Sequence, residues 1–175
     1  MPHKLIVITG SSGVGKSTLA HALQEKLLPQ HWLHFSVDSI FYCLPQSIIR
    51  RVDQQNDLTG VDSKAIVTGA YACAKTLLEL GHRVIFDAVI LADAGAQAMS
   101  RAFDGFAPLL VEITCAWPEI ERRTLARGDR TLDEAAHGYR NARGHLVAHH
   151  SFDSTHASAE QLAEQLVRRL SAVGI

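Results

Sequence analysis

The chain has 175 residues, near the usual size of one domain and long enough to close a hydrophobic core without disulfides or metal. Lys and Arg number 17 against 18 Asp and Glu, so the net charge is −1. That balance excludes the basic excess that bulk nucleic-acid binding needs, and a composition 47% hydrophobic and 20% charged excludes a disordered chain.

Residues 4–9, KLIVIT, form an apolar run that predicts a buried strand, followed by a glycine-rich turn. A helix is predicted over 16–28, where Leu19, Leu23 and Leu27 share one face and Pro29 stops it. Trp32 to Val37 reads as a second strand with Asp38 at its end. Residues 46–61 are polar, carry Arg50, Arg51 and Asp53, and are assigned to no element. A helix follows over 62–80, with Gly81 as its C-terminal cap. Residues 83–89 and 108–114 read as further strands, and 93–104 and 118–127 as helices, Asp93 capping the first of these. Ser158 and Gln161 have capping-box spacing before a helix striped by Leu162, Leu166 and Leu170. Strands alternating with helices require crossover connections. The expectation is one α/β domain over 1–175, a three-layer P-loop NTPase fold with a mostly parallel five-stranded sheet and a kinase-type lid at about 127–143.

Residues 10–17, Gly10-Ser11-Ser12-Gly13-Val14-Gly15-Lys16-Ser17, match the pattern G-x-x-x-x-G-K-[ST]. Such a loop turns its backbone N–H groups onto phosphate oxygens, and the following helix adds its unpaired amides and positive dipole end. Lys16 is placed to reach the β- and γ-phosphates and the Ser17 hydroxyl to ligate Mg²⁺. The strand before and the helix after are the context this motif requires. Gly10, Ser11, Ser12, Gly13, Val14, Gly15, Lys16, Ser17 and Thr18 are therefore the expected nucleotide-binding residues.

Asp87 ends the run Val84-Ile85-Phe86. It is either a carboxylate near Mg²⁺ or a turn or capping aspartate. Asp38 is expected to face the same crevice, because ligands of open parallel sheets bind beyond the strands' carboxyl ends. There it either accepts an acceptor hydroxyl's proton or caps a helix starting near Ser39. Six arginines lie between 122 and 143: Arg122, Arg123, Arg127, Arg130, Arg140 and Arg143. With a phosphate loop in the chain, Arg127 and Arg130 read as lid residues that close on the transferring phosphate. Ten histidines invite a metal or catalytic-dyad reading, but His149-His150 and His31/His34 have no carboxylate or cysteine at ligand spacing. Cys43, Cys73 and Cys115 show no disulfide framework, no apolar run reaches the roughly 20 residues of a membrane span, and the first residues make no signal peptide. A cytoplasmic protein with no membrane or nucleic-acid partner is expected, its oligomeric state left open.

Taken together, the phosphate loop, Trp32-Leu33 and Phe35 before Val37-Asp38-Ser39, Gly81, Arg83 and Ile85 before Asp87, Arg127-Gly128-Asp129-Arg130, and Asp153-Ser154-Thr155-His156 resemble the chloramphenicol phosphotransferase-like family. The resemblance covers nearly the whole chain. It implies ATP-dependent transfer of a phosphoryl group to a hydroxyl of a small molecule, chloramphenicol or a related antibiotic among the acceptors. It implies that Asp38 is the catalytic base, that Arg127 and Arg130 belong to the lid, and that Asp153–His156 lies near the adenine site. Three departures stand out. The stretch between Asp38 and Asp87 is several residues shorter than in chloramphenicol phosphotransferase itself. Ala88 replaces an expected acidic residue, and Ala148-His149 replaces Tyr-Asp. The alternatives are a metabolite or nucleotide kinase of the shikimate or nucleoside monophosphate type, for which Arg50 and Arg51 are the candidate acceptor-phosphate ligands, and a nucleotide-binding module without transfer. A GTPase switch lacks its Asn/Thr-Lys-x-Asp motif, since no lysine follows Lys75.

Overall fold

The computed structural model describes residues 3–127 and 131–172. Its centre is the strand β1 (Leu5–Thr9), buried along its whole length. Alternate side chains of a strand face opposite ways, and here each way meets a core. Ile6 and Ile8 enter one hydrophobic cluster, Leu5 and Val7 the other. This is why the run has no polar partner positions.

Four further strands pair around it: β2 (Trp32–Ser36), β3 (Arg83–Ala88), β4 (Leu109–Thr114) and β5 (His150–Asp153). The order is β2-β3-β1-β4-β5, and every pairing is parallel. The sheet is thus all parallel among the described residues, where a mostly parallel one was expected. One face is covered by α1 (Lys16–Lys26) and α8 (Ala159–Ala172), whose Leu19, Leu23, Leu162 and Leu166 join the first cluster. The other face is covered by α4 (Ser63–Glu79) and α5 (Asp93–Ala102). There Tyr71, Phe86 and Phe103 pack ring against ring at centroid distances of 5.4–5.6 Å.

Local signals set most boundaries. Asp62 accepts the Ala65 N–H at 2.9 Å and starts α4. Gly81, at φ 93°, ends it, as His82 and Gly81 donate back to Leu77 and Leu78. Ser158 and Gln161 exchange the reciprocal bonds of a capping box ahead of α8.

Three expectations change. Strand β2 stops at Ser36, and Val37 opens a short helix, α2 (Val37–Phe41). The Ser36 N–H donates to Ser39 Oγ at 3.0 Å, a bond that turns the chain out of the sheet. Asp38 is therefore inside a first helical turn whose cap is Ser36, not itself a cap. The polar stretch after it folds as α3 (Gln46–Gln55), ended by Asn56 in the left-handed region at φ 50°. Asp93 does not cap α5, whose N-cap is Ala92; it lies in the first turn and meets His145 Nδ1 at 2.7 Å.

The remaining helices lie on the nucleotide-motif side. They are α6 (Trp117–Arg127) and α7 (Leu132–Asn141), the latter started by Thr131, which Glu134 bonds in return. Residues 132–141 of the expected lid thus form a helix whose Gly138 is packed against the Gly10–Ser17 loop. A Cβ at Gly138 would stand 3.6 Å from Ser12 N.

Candidate functional site

Strands β1, β2 and β3 all end on one edge of the sheet, and their polar termini converge there. In register, Ile8 of β1 lies beside Asp87, and Asp87 beside Ser36. The loop from Gly10 to Gly15 leaves β1 at this edge and returns as α1. Two glycines make that turn sterically allowed. A Cβ at Gly10 would lie 2.3 Å from the Ile113 carbonyl oxygen, so β4 admits no side chain there. Gly15, at φ 95°, is the N-cap of α1 in a left-handed conformation that costs other residues energy. Gly10→Ala is expected to destabilise the fold by about 1–3 kcal/mol, a fall of roughly 2–12 °C in Tm, read by thermal melting. An unchanged Tm would show that the β4 backbone yields.

The loop is braced from behind. Ser154, buried at the end of β5, donates its hydroxyl to the Val14 carbonyl at 2.8 Å. Arg123 of α6 donates to the Ser154 carbonyl at 2.7 Å and reaches the Gly13 and Val14 carbonyls at 3.4 Å. Glu119 orients that guanidinium from the same helix at 2.8 Å. The hydrogen bonds from Arg122 and Arg123 hold the Glu119 carboxyl down to about 2. With the Gly13 and Val14 carbonyls bonded to Arg123 and Ser154, the loop is held in one curvature.

Lys16 is buried, and its Nζ donates to the Ser11 carbonyl at 3.0 Å across the loop. Asp87 is buried at the foot of the cleft. Burial by itself would raise its pKa. The hydrogen bond from His34, the positive charge of Lys16 and a hydrogen bond from Ser17 outweigh that and hold it below the ordinary carboxylate value. The carboxylate is therefore charged at neutral pH and faces both motif residues.

A cleft of about 500 Å³ opens over this floor. Ser12, Lys16, Ser17, Asp38, Asp87 and Arg127 are among its walls. A second cavity of about 400 Å³ adjoins it, between the loop, α6 and the Ser154–Ala159 segment. Gly13, Gly15, Thr18 and Arg127 border both spaces. The two spaces thus flank the Gly10–Ser17 loop and share part of its wall.

A family model described as chloramphenicol phosphotransferase-like protein matches residues 3–171. The chain belongs to the chloramphenicol phosphotransferase-like family. A guanylate kinase from Thermobifida fusca is 25% identical over 188 residues, covering 98% of this chain and 92% of its own. By shape, the chain is similar to a sugar kinase from Janibacter sp. HTCC2649, with TM-score 0.74 at 16% identity and 97% and 95% of the two chains covered. It is also similar to a gluconokinase from Sinorhizobium meliloti 1021, with TM-score 0.65 at 18% identity, covering 99% and 98%. The fold is that of the P-loop kinases, and this family member is a nucleotide-binding protein of the kinase type. Among the described residues, no helix is long and apolar enough to cross a membrane.

Most sequence-predicted site residues of this family member meet around these two spaces. Lys16, Ser17, Asp38, Asp87 and Arg127 line one cleft. Gly10 and Ser11 shape the loop from below it. Arg130 and its neighbours Gly128 and Asp129 lie outside the described residues. Two contributors escaped the sequence reading. Arg123 was one arginine among six, and only its reach to the loop carbonyls separates it from the rest. His34 was set aside for want of a carboxylate at ligand spacing. Its Nε2 in fact meets Asp87 Oδ2 at 2.7 Å across 53 residues of sequence. The usable signal was the alternation His34, Ser36 on one strand face, polar residues where the motif helix packs.

Proposed function

We propose that the protein is an ATP-dependent O-phosphotransferase acting on a hydroxyl of a small molecule. The observation that carries this is the single cleft in which the loop lysine, the charged Asp87 and the exposed Asp38 converge. ATP lies with its phosphates along Gly10–Thr18 and its base toward the cavity beside Ser154. The donor set at Ser17 and Asp87, a hydroxyl and a charged carboxylate, is the hard oxygen chemistry that Mg²⁺ selects. These two residues would hold the ion, which supplies neutralisation of the phosphate charge.

The residues then divide the work. Asp38, on the first turn of α2 across the cleft from the loop, holds the acceptor O–H. As the acceptor oxygen–phosphorus bond forms, the bond to the leaving ADP oxygen breaks and the hydroxyl proton passes to Asp38. Lys16 leaves Ser11 for the transferring phosphoryl oxygens, where charge is spread in the transition state. Arg127 borders both the base-side cavity and the cleft, and with Arg130 it serves as the lid that closes over the phosphates.

The guanylate kinase likeness raises a second acceptor, one that already carries phosphate. Such an acceptor needs cations in the region between Asp38 and Asp87. The two arginines of α3 are engaged within their own segment. Arg51 pairs with Asp57 at 3.3 Å and donates to the Thr59 carbonyl, and Arg50 donates to the Gln46 carbonyl at 3.4 Å. With these two arginines engaged, a neutral hydroxyl compound is the acceptor we favour. The test is a mass-spectrometric transfer assay with Mg²⁺-ATP against chloramphenicol, other hydroxylated antibiotics, sugars, sugar acids and GMP. A phosphate mass gain on an uncharged hydroxyl compound is expected. A gain on GMP alone would transfer the assignment to nucleotide kinases.

A further inference from the structure

Asp87 is the residue on which the metal side of the cleft depends, and it is held from a direction the motif does not supply. His34 sits on β2 two residues before Ser36, which is in register with Asp87. In a strand, residues two apart share a face, so the His34 ring stands beside the Asp87 carboxylate. Their side chains are 16% and 8% exposed, and the Nε2–Oδ2 distance is 2.7 Å. A charged carboxylate only accepts, so Nε2 carries the proton and donates.

The ring is itself fixed. His21, on the second turn of α1, stacks edge-on against it, with centroids 4.8 Å apart and planes at 82°. His21 is held in turn by Gln24, 3.0 Å from its Nδ1. The Gln24 amide donates to the Trp32 carbonyl of β2 at 2.7 Å. The same helix that opens with Lys16 and Ser17 thereby packs against the histidine that bonds their carboxylate partner.

We propose that His34 is a positioning residue for the metal side of the site. Its Nε2–H occupies Asp87 Oδ2 and fixes the carboxylate's rotation, which would leave its remaining lone pairs available to Ser17 and to Mg²⁺ when the ion is bound. This rests on the phosphotransferase reading above. Strapping β2 to the sheet would be a weaker reason for the pair, because β2 already pairs with β3 from Trp32 to Ser36. Partners that orient a metal-binding carboxylate commonly change metal affinity by about 10- to 100-fold when removed.

The test is calorimetric binding of ADP, with Mg²⁺ and with EDTA, to the full chain and to His34→Leu and His34→Gln. Leu removes the donor and keeps much of the volume; Gln keeps an N–H at similar reach. His34→Leu should lose about tenfold or more of the Mg²⁺-dependent gain in affinity and bind ADP in EDTA like the parent. His34→Gln should keep most of the gain. Equal loss with and without Mg²⁺, or no loss in either, overturns the proposal. Should His34→Leu fail to fold, His34→Gln decides it: a folded Gln variant without the Mg²⁺-dependent gain overturns it, and one with the gain supports it. A parent protein that binds ADP with no gain from Mg²⁺ overturns the metal reading of Ser17 and Asp87 along with it.

Discussion

Asp38→Asn is expected to lower phosphoryl transfer by about 10²–10⁴-fold, the usual range for removing a positioned acid–base group, while ATP binding stays near that of the parent. The substitution keeps the shape of the side chain and removes its capacity to take a proton. It should leave the fold intact, because the turn out of β2 is made by Ser36 and Ser39 and not by Asp38. It should spare the nucleotide, because Asp38 lies on α2 and not on the loop from Gly10 to Gly15. Single-turnover transfer to the acceptor found in the mass assay, beside calorimetric ATP affinity, separates the two quantities. Turnover within threefold of the parent would remove Asp38 from the chemistry. Equal loss of ATP affinity and of rate would make it a nucleotide ligand instead.

Lys16→Ala is expected to cost about 10²–10³-fold in kcat/KM for ATP, as when one preorganised donor to a developing charge is deleted. The change also withdraws a positive charge from Asp87, whose ionised form Lys16 favours. Both effects weaken the same phosphate and metal region. The loop itself should survive, since Arg123 and Ser154 grip the Gly13 and Val14 carbonyls independently of Lys16. Thermal melting should therefore show a small change where the transfer assay shows a large one. A folded variant with near-parental turnover would remove the phosphate role from Lys16.

The two substitutions rest on different kinds of legibility. Lys16 stood in a contiguous motif, where eight consecutive residues must make one turn and its spacing already carries the geometry. Asp38 could be read from its surroundings either as a carboxylate facing the crevice or as a helix cap. Its neighbours Ser36 and Ser39 then turned out to form the cap that moved it from a strand end into a helical turn. Serine at such a position is compatible with strand, turn and cap alike, so the sequence left that choice open. The fifth strand of the expected sheet, β5, was given no position for a related reason. In His150-Ser151-Phe152-Asp153 only Phe152 is buried, and an edge strand of four residues has no apolar run to announce it. The helix α3 hid in a polar stretch because Ile49 is its one buried residue.

The sequence by itself determined the parts whose physics is local: the phosphate loop, the apolar strands that two cores require, the caps at Gly81 and Ser158, and so the α/β class. Tertiary structure alone decided the parts that depend on distant segments meeting. It brought Asp38, Asp87 and Arg127 to one cleft, set Arg123 and Ser154 behind the loop, and placed His34 against Asp87 across 53 positions. The reason is physical. A turn or cap is satisfied by bonds between near neighbours in the chain, whereas a carboxylate's environment is set by whichever strand and helix the sheet order places beside it.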